Sequence, residues 1–166
     1  MSALDEIRTG IQENIPAILG RFHTVVRDED PWMLLPEARR TDHFGELILH
    51  VTEVALGEGR REERVRQMLH TAARHGEERL ADGFPEALVF REHYLLRQAL
   101  WSYVREMHDG DSPLAFEAVA RIDTSLSLST KASLRGFHRP TYEAQGRWPE
   151  CIDALVSDWR TLPSVG

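Results

Sequence analysis

Cysteine is almost absent from this chain: among 166 residues only Cys151 carries a thiol. That excludes an internal disulfide and a thiolate metal site, since each needs more than one cysteine. Cys151 falls beside Ile152 and Leu155 on an apolar helical face, the setting of a buried, inert thiol. Long hydrophobic runs are missing too, and no stretch approaches the length needed to cross a bilayer. The opening residues MSALDEIRTG have neither a basic n-region nor an apolar h-region, so the expectation is a cytoplasmic chain with no membrane partner. Positive charge is not in excess. The formal net charge is −7, and the locally basic runs RRTDH and GRREERVR read as solvated helix faces, which argues against nucleic acid as a partner.

Catalytic signatures are lacking as well. There is no nucleophile elbow, no glycine-rich phosphate loop and no His-Glu-x-x-His. Asp109-Gly110-Asp111 is a turn without the later carboxylates of a calcium loop. The chain is therefore read as a non-enzyme with no catalytic residues and no cofactor.

Against these absences stands an ordinary globular composition, 42% hydrophobic and 28% charged, in a chain long enough for one core and short for two. Residues 1–166 are expected to form a single domain. Leu4, Ile7, Ile11, Ile15, Ile18, Phe22 and Val26 keep helical spacing across Pro16, which predicts one long helix kinked or broken at the proline. An apolar loop follows from Pro31 to Pro36. A second helix is expected over 41–56 with Thr41 as N-cap and Phe44, Leu47, Ile48 and Val51 inward. A third covers 60–80, with Val65, Met68, Leu69, Ala72 and Leu80 inward. Asp82-Gly83-Phe84-Pro85 then turns the chain into a fourth helix, with Pro85 near its first position.

A fifth helix starts at Ser112-Pro113 and runs into a serine-rich stretch, 125–130. Residues 136–146 read as a long connection, and a terminal helix over roughly 149–160 docks through Ile152, Leu155, Val156 and Trp159. With no strand pair and no repeat, the fold class is all-α: an antiparallel bundle of five or six helices.

The stretch His75–Met107 organises the rest. Its second half sets Leu88, Val89, Leu95, Leu96, Ala99, Leu100, Tyr103 and Met107 on one helical face, and Glu92 falls in the middle of them. A carboxylate inside an apolar stripe must be paired, protonated, metal-bound or facing a cavity. Arg79 breaks the apolar face of the preceding helix, so one reading is a buried Arg79–Glu92 ion pair. A sharper one is a pocket in which His43, His75, Arg79 and Glu92 converge, with Asp123 as a further oxygen ligand. The same residues supply the alternative of a metal- or haem-binding bundle using His43, His50, His75 and Glu92, although the Glu-x-x-His pattern of di-iron bundles is absent and Glu46, between His43 and His50, is expected to face solvent. Phe90, Tyr94, Arg97 and Trp101 form a second stripe on the opposite side of the fourth helix. It is read either as an association face for a homodimer, with Arg97 stacked among the aromatics, or as a central helix covered by the terminal segment.

The run His75-Gly76 … Arg79 … Gly83-Phe84 … Glu92 … Leu95-Leu96-Arg97 resembles the N-terminal input domain of RsbRD-type RsbT co-antagonists, found also ahead of some bacterial sensor histidine kinases. Asp42-His43-Phe44-Gly45-Glu46-Leu47 and Ile122-Asp123 look like further segments of it, and the similarity spans roughly 32–129. His93, where that family tends to have Tyr, and Pro85, where an acidic cap is usual, depart from it. The resemblance implies signal input without catalysis, an all-helical and often dimeric domain, and a downstream kinase or STAS-type regulator as partner.

Overall fold

A computed structural model describes residues 2–41, 43–59 and 61–162. Asp42 of the family-like segment and Arg60, the expected start of the third helix, lie outside the described residues. The described residues are all-α and contain no strand. The helices are α1 (Ala3–Glu13), α2 (Ile15–Val26), a 3-10 turn (Trp32–Leu34), α3 (Glu37–Arg40), α4 (Phe44–Leu56), α5 (Glu62–Ala81), α6 (Glu86–Met107), α7 (Pro113–Phe137), α8 (Arg139–Ala144) and α9 (Trp148–Thr161). No described helix is long and apolar enough to cross a membrane.

The N-terminal break falls earlier than Pro16. Ser2 opens α1 with a capping box shared with Asp5, and Asn14 ends it, its amide donating to the Gly10 carbonyl at 2.8 Å. Pro16 then sits in the first turn of α2, where its missing N–H leaves no gap in the helix ladder. Between α2 and α4 lies a segment whose form the periodicity does not reveal. Trp32 sits in the 3-10 turn and is completely buried, while Met33 and Leu34 beside it are exposed. The short helix α3 follows, so α4 begins at Phe44 with His43 as its N-cap and not at Thr41.

Gly83, at φ +79°, makes the corner between α5 and α6. Pro85 is the N-cap of α6, one position before its first turn. Leu80 and Met107, both expected inside, are 39% and 59% exposed. Each lies at the end of its helix, where the apolar stripe runs out beyond the packed partner.

The largest departure is α7. The serine-rich stretch is helix, as expected, but α7 continues to Phe137, so the expected connection is the end of α7 followed by α8. Ser129 and Thr130 donate to the carbonyls of Ser125 and Leu126 four residues back, which satisfies their hydroxyls inside a buried face. Small side chains there let α7 lie directly on α5. A Cβ on Gly76 would stand 1.8 Å from the Ser133 carbonyl oxygen, and one on Gly136 1.9 Å from that of Ala73. The helix α7 also touches α4, α6 and α9, and α9 docks on α5 and α7 through Cys151, Ile152, Leu155 and Val156. One apolar cluster runs from Ile7 in α1 to Val156 in α9.

Candidate functional site

Helical spacing of four puts His75 and Arg79 on the same face of α5, turned towards α6, where Glu92 stands about two turns in from Pro85. All three side chains are completely buried. The Glu92 carboxylate accepts from three residues on two segments, Trp32 and the α5 pair His75 and Arg79. Its Oε1 takes the Trp32 indole N–H at 2.7 Å and Arg79 Nε at 2.9 Å. Its Oε2 takes His75 Nε2 at 2.9 Å and a longer contact from Arg79 Nε at 3.2 Å. Burial by itself raises the pKa of Glu92; the charge and hydrogen bond of His75, the charge of Arg79 and the hydrogen bond from Trp32 outweigh it and hold the carboxyl below its ordinary value.

Arg79 does more than balance Glu92. Its Nη1 donates to Asp82 at 3.2 Å, and its Nη2 donates to the backbone carbonyls of Arg39 and Arg40 at 3.1 and 3.3 Å. Arg39 in turn pairs with Asp82 at 2.7 Å. The guanidinium lies 5.2 Å from the Phe84 ring centroid, and Phe84 meets Trp32 edge-on at 5.8 Å. Trp32, Arg39 and Arg40 all belong to the segment between α2 and α4. The network therefore straps residues 32–40 onto the α5–α6 corner.

Next to it sits His93, also buried, with its ring 5.6 Å from that of His75 and 6.0 Å from Phe44. Its Nδ1–H donates to the Val89 carbonyl at 3.0 Å, while its Nε2, like Nδ1 of His75, makes no hydrogen bond. Burial, reinforced by the charge of His75, pushes the His93 pKa down to about 4.

Of the expected polar cluster, His75, Arg79 and Glu92 meet in one place. His43 borders it: its ring is 6.5 Å from that of His75, but its Nε2 pairs with Glu78 at 2.7 Å. Asp123 lies elsewhere, paired with Arg97 at 2.5 Å between α6 and α7. His50 is 3.6 Å from Glu46, away from Glu92, so His43, His50, His75 and Glu92 do not converge. Glu46 itself is not turned to solvent alone, since it accepts from Arg74 and Thr71. Among the described residues no three His, Cys, Asp or Glu side chains are grouped so as to hold a metal ion.

The expected association face divides. Phe90 and Tyr94 are 57% and 50% exposed and Trp101 is half-buried. Arg97 leans away to Asp123 and Ser127 rather than stacking among the aromatics.

Trp32 and Asp82 belong to the network, and His93 borders it, without having been assigned to it from the sequence. Trp32 left one usable signal: a tryptophan that is buried needs an acceptor for its indole N–H, and Glu92 was the most central of the carboxylates read as inward. Comparison with protein-family models, with curated proteins and with solved structures finds no match for the chain. The likeness to RsbRD-type input domains rests on the residues quoted for it.

Proposed function

We propose that this chain is a non-enzymatic signal-input domain of a bacterial sensory or stress-response system, and that the Trp32–His75–Arg79–Glu92 network is its responsive element. The observation that carries the reading is a sealed carboxylate that joins the segment following α2 to the α5–α6 corner, with Trp32 buried at the junction. Glu92, His75 and Arg79 have no solvent exposure, a poor arrangement for turning over a substrate and a good one for linking two states of a fold. A buried network tends to be either fully formed or broken, because a stranded charge is costly. Loss of the Glu92 contacts would free residues 32–40 and uncover the α5–α6 corner, which is a local change that a partner reads as surface. The RsbRD-type resemblance of the same corner points the same way, towards a kinase or STAS-type regulator as receiver. The exposed Phe90 and Tyr94 on α6 suit association of two copies beside that corner.

The test is allelic replacement in the source organism. Deletion of the chain and the Glu92→Gln allele, at equal protein level, are each expected to alter transcription of a common set of genes. A transcriptome unchanged by either would contradict the reading.

A further inference from the structure

At the opposite end of α5 from the network, α4, α5, α7 and α9 leave a cleft of about 370 Å³. Its floor and wall are apolar, formed by Val65, Leu128 and the half-buried ring of Trp159. Its rim carries three guanidinium groups, Arg61, Arg64 and Arg121. We propose that this cleft is a binding site for a small carboxylate with an apolar, planar body, which would lie against Trp159 with its charge among the three arginines.

The volume is within the range of small-ligand pockets, and the lining has their usual form of an apolar bed with a few convergent polar groups. The charge argument decides the class of ligand. Among the described residues Glu53 is the one carboxylate lining the cleft, and it is already engaged by Arg8, by Gln12 at 2.9 Å and by Arg64 at 3.0 Å. Arg121 is held in place by Glu117 at 2.6 Å, outside the lining. Arg61 is exposed and makes no ion pair among the described residues. A cation in the cleft would meet three like charges. A neutral apolar ligand would leave Arg61 without an anion. A carboxylate answers both, and guanidinium groups suit its two oxygens. The flanking loop is compatible with access: Gly59 adopts φ +76°, and nothing lies within 4 Å of where its Cβ would stand. The proposal does not depend on the signal-input reading, because binding is measured directly and the Glu92 network takes no part in it.

The experiment titrates the purified chain with 2-naphthoate and with uncharged 2-naphthamide, by calorimetry and by backbone and indole N–H chemical shifts. The expected result is binding of naphthoate with shifts confined to residues 53–65, 121–128 and 159–162, and affinity for naphthamide weaker by about tenfold or more, as for loss of a charge-assisted contact. Arg61→Gln is surface-exposed and keeps the fold; it is expected to weaken naphthoate about tenfold while leaving naphthamide unchanged. Val54→Phe, on the cleft wall, should abolish binding of both. Equal affinity for acid and amide, indifference of naphthoate to Arg61→Gln, shifts centred elsewhere, or no binding up to the solubility limit would each overturn the proposal.

Discussion

Glu92 keeps its charge inside the protein because four donated contacts replace the water it lost, and Arg79 keeps its own because Glu92, Asp82 and two backbone carbonyls share it. This sharing sets the outcome of a double substitution. Glu92→Gln or Arg79→Met alone should destabilise the fold by about 3–5 kcal/mol, the usual cost of stranding one partner of a buried pair. Combining them should not restore stability, since Arg79→Met also removes the donor to the Arg39 and Arg40 carbonyls and leaves Asp82 with Arg39 alone. Denaturant titration of the four proteins checks this, and full recovery in the double variant would mean an isolated ion pair.

His93 predicts a pH effect of definite sign. Its folded pKa of about 4 lies below the ordinary histidine value, so between the two the unfolded chain binds a proton that the native state refuses. Stability should therefore fall as pH drops from about 6.5 towards 4, by about 3 kcal/mol in all. Glu92 adds a further loss at lower pH: its folded pKa is depressed, so its contribution is present above the unfolded value and disappears as pH falls through the folded one. His93→Asn keeps a donor for Val89 without the titrating ring and should flatten the profile between pH 6.5 and 4. Unfolding midpoints measured across that range decide it.

At the scale of elements, the α5–α7 contact is the tightest in the molecule, and glycine makes it so. Gly136→Ala places a methyl group 1.9 Å from the Ala73 oxygen, where neither backbone can yield without separating the helices, so a loss of several kcal/mol is expected, of the order of other overpacked cores or more. Gly20→Ala, in α2 with nothing within 4 Å, should instead stabilise by about 0.5–1 kcal/mol through helix propensity alone. Melting temperatures of the pair check both signs. The elements themselves were legible in the sequence to unequal degrees. The cores of α4, α5, α6 and α9 follow directly from apolar periodicity, and the misplacement of Arg79 and Glu92 within it was visible for the same reason. What periodicity does not carry is why a stripe ends, so Leu80 and Met107 were placed inside. The four-residue α3 is too short to show a face. The serine-rich part of α7 was legible as helix, but 136–146 read as a connection because Gly136 and Pro140 look like breakers, whereas Gly136 serves the close approach of α5 and Pro140 lies in the first turn of α8. The contact of Trp32 with Glu92 joins residues sixty positions apart. Helical periodicity is a local signal and does not pair a loop residue with a distant helix.

For the whole molecule, two properties follow. Phe90 and Tyr94 form an exposed aromatic step on α6, so sedimentation is expected to show a concentration-dependent dimer that Phe90→Glu with Tyr94→Glu converts to monomer without loss of helical content. A wild-type chain that stays monomeric at high concentration would remove the association face. The more central property is the strap. If the Glu92 network is the element that fastens residues 32–40 to the α5–α6 corner, its removal should loosen that segment before it loosens the bundle. Amide hydrogen exchange of wild type and Glu92→Gln measures this directly. The account predicts faster exchange concentrated in residues 32–41 and 75–84 of the variant, with protection of α7 and α9 retained under native conditions. Exchange that is unchanged in those segments, or raised uniformly through the chain, would contradict it.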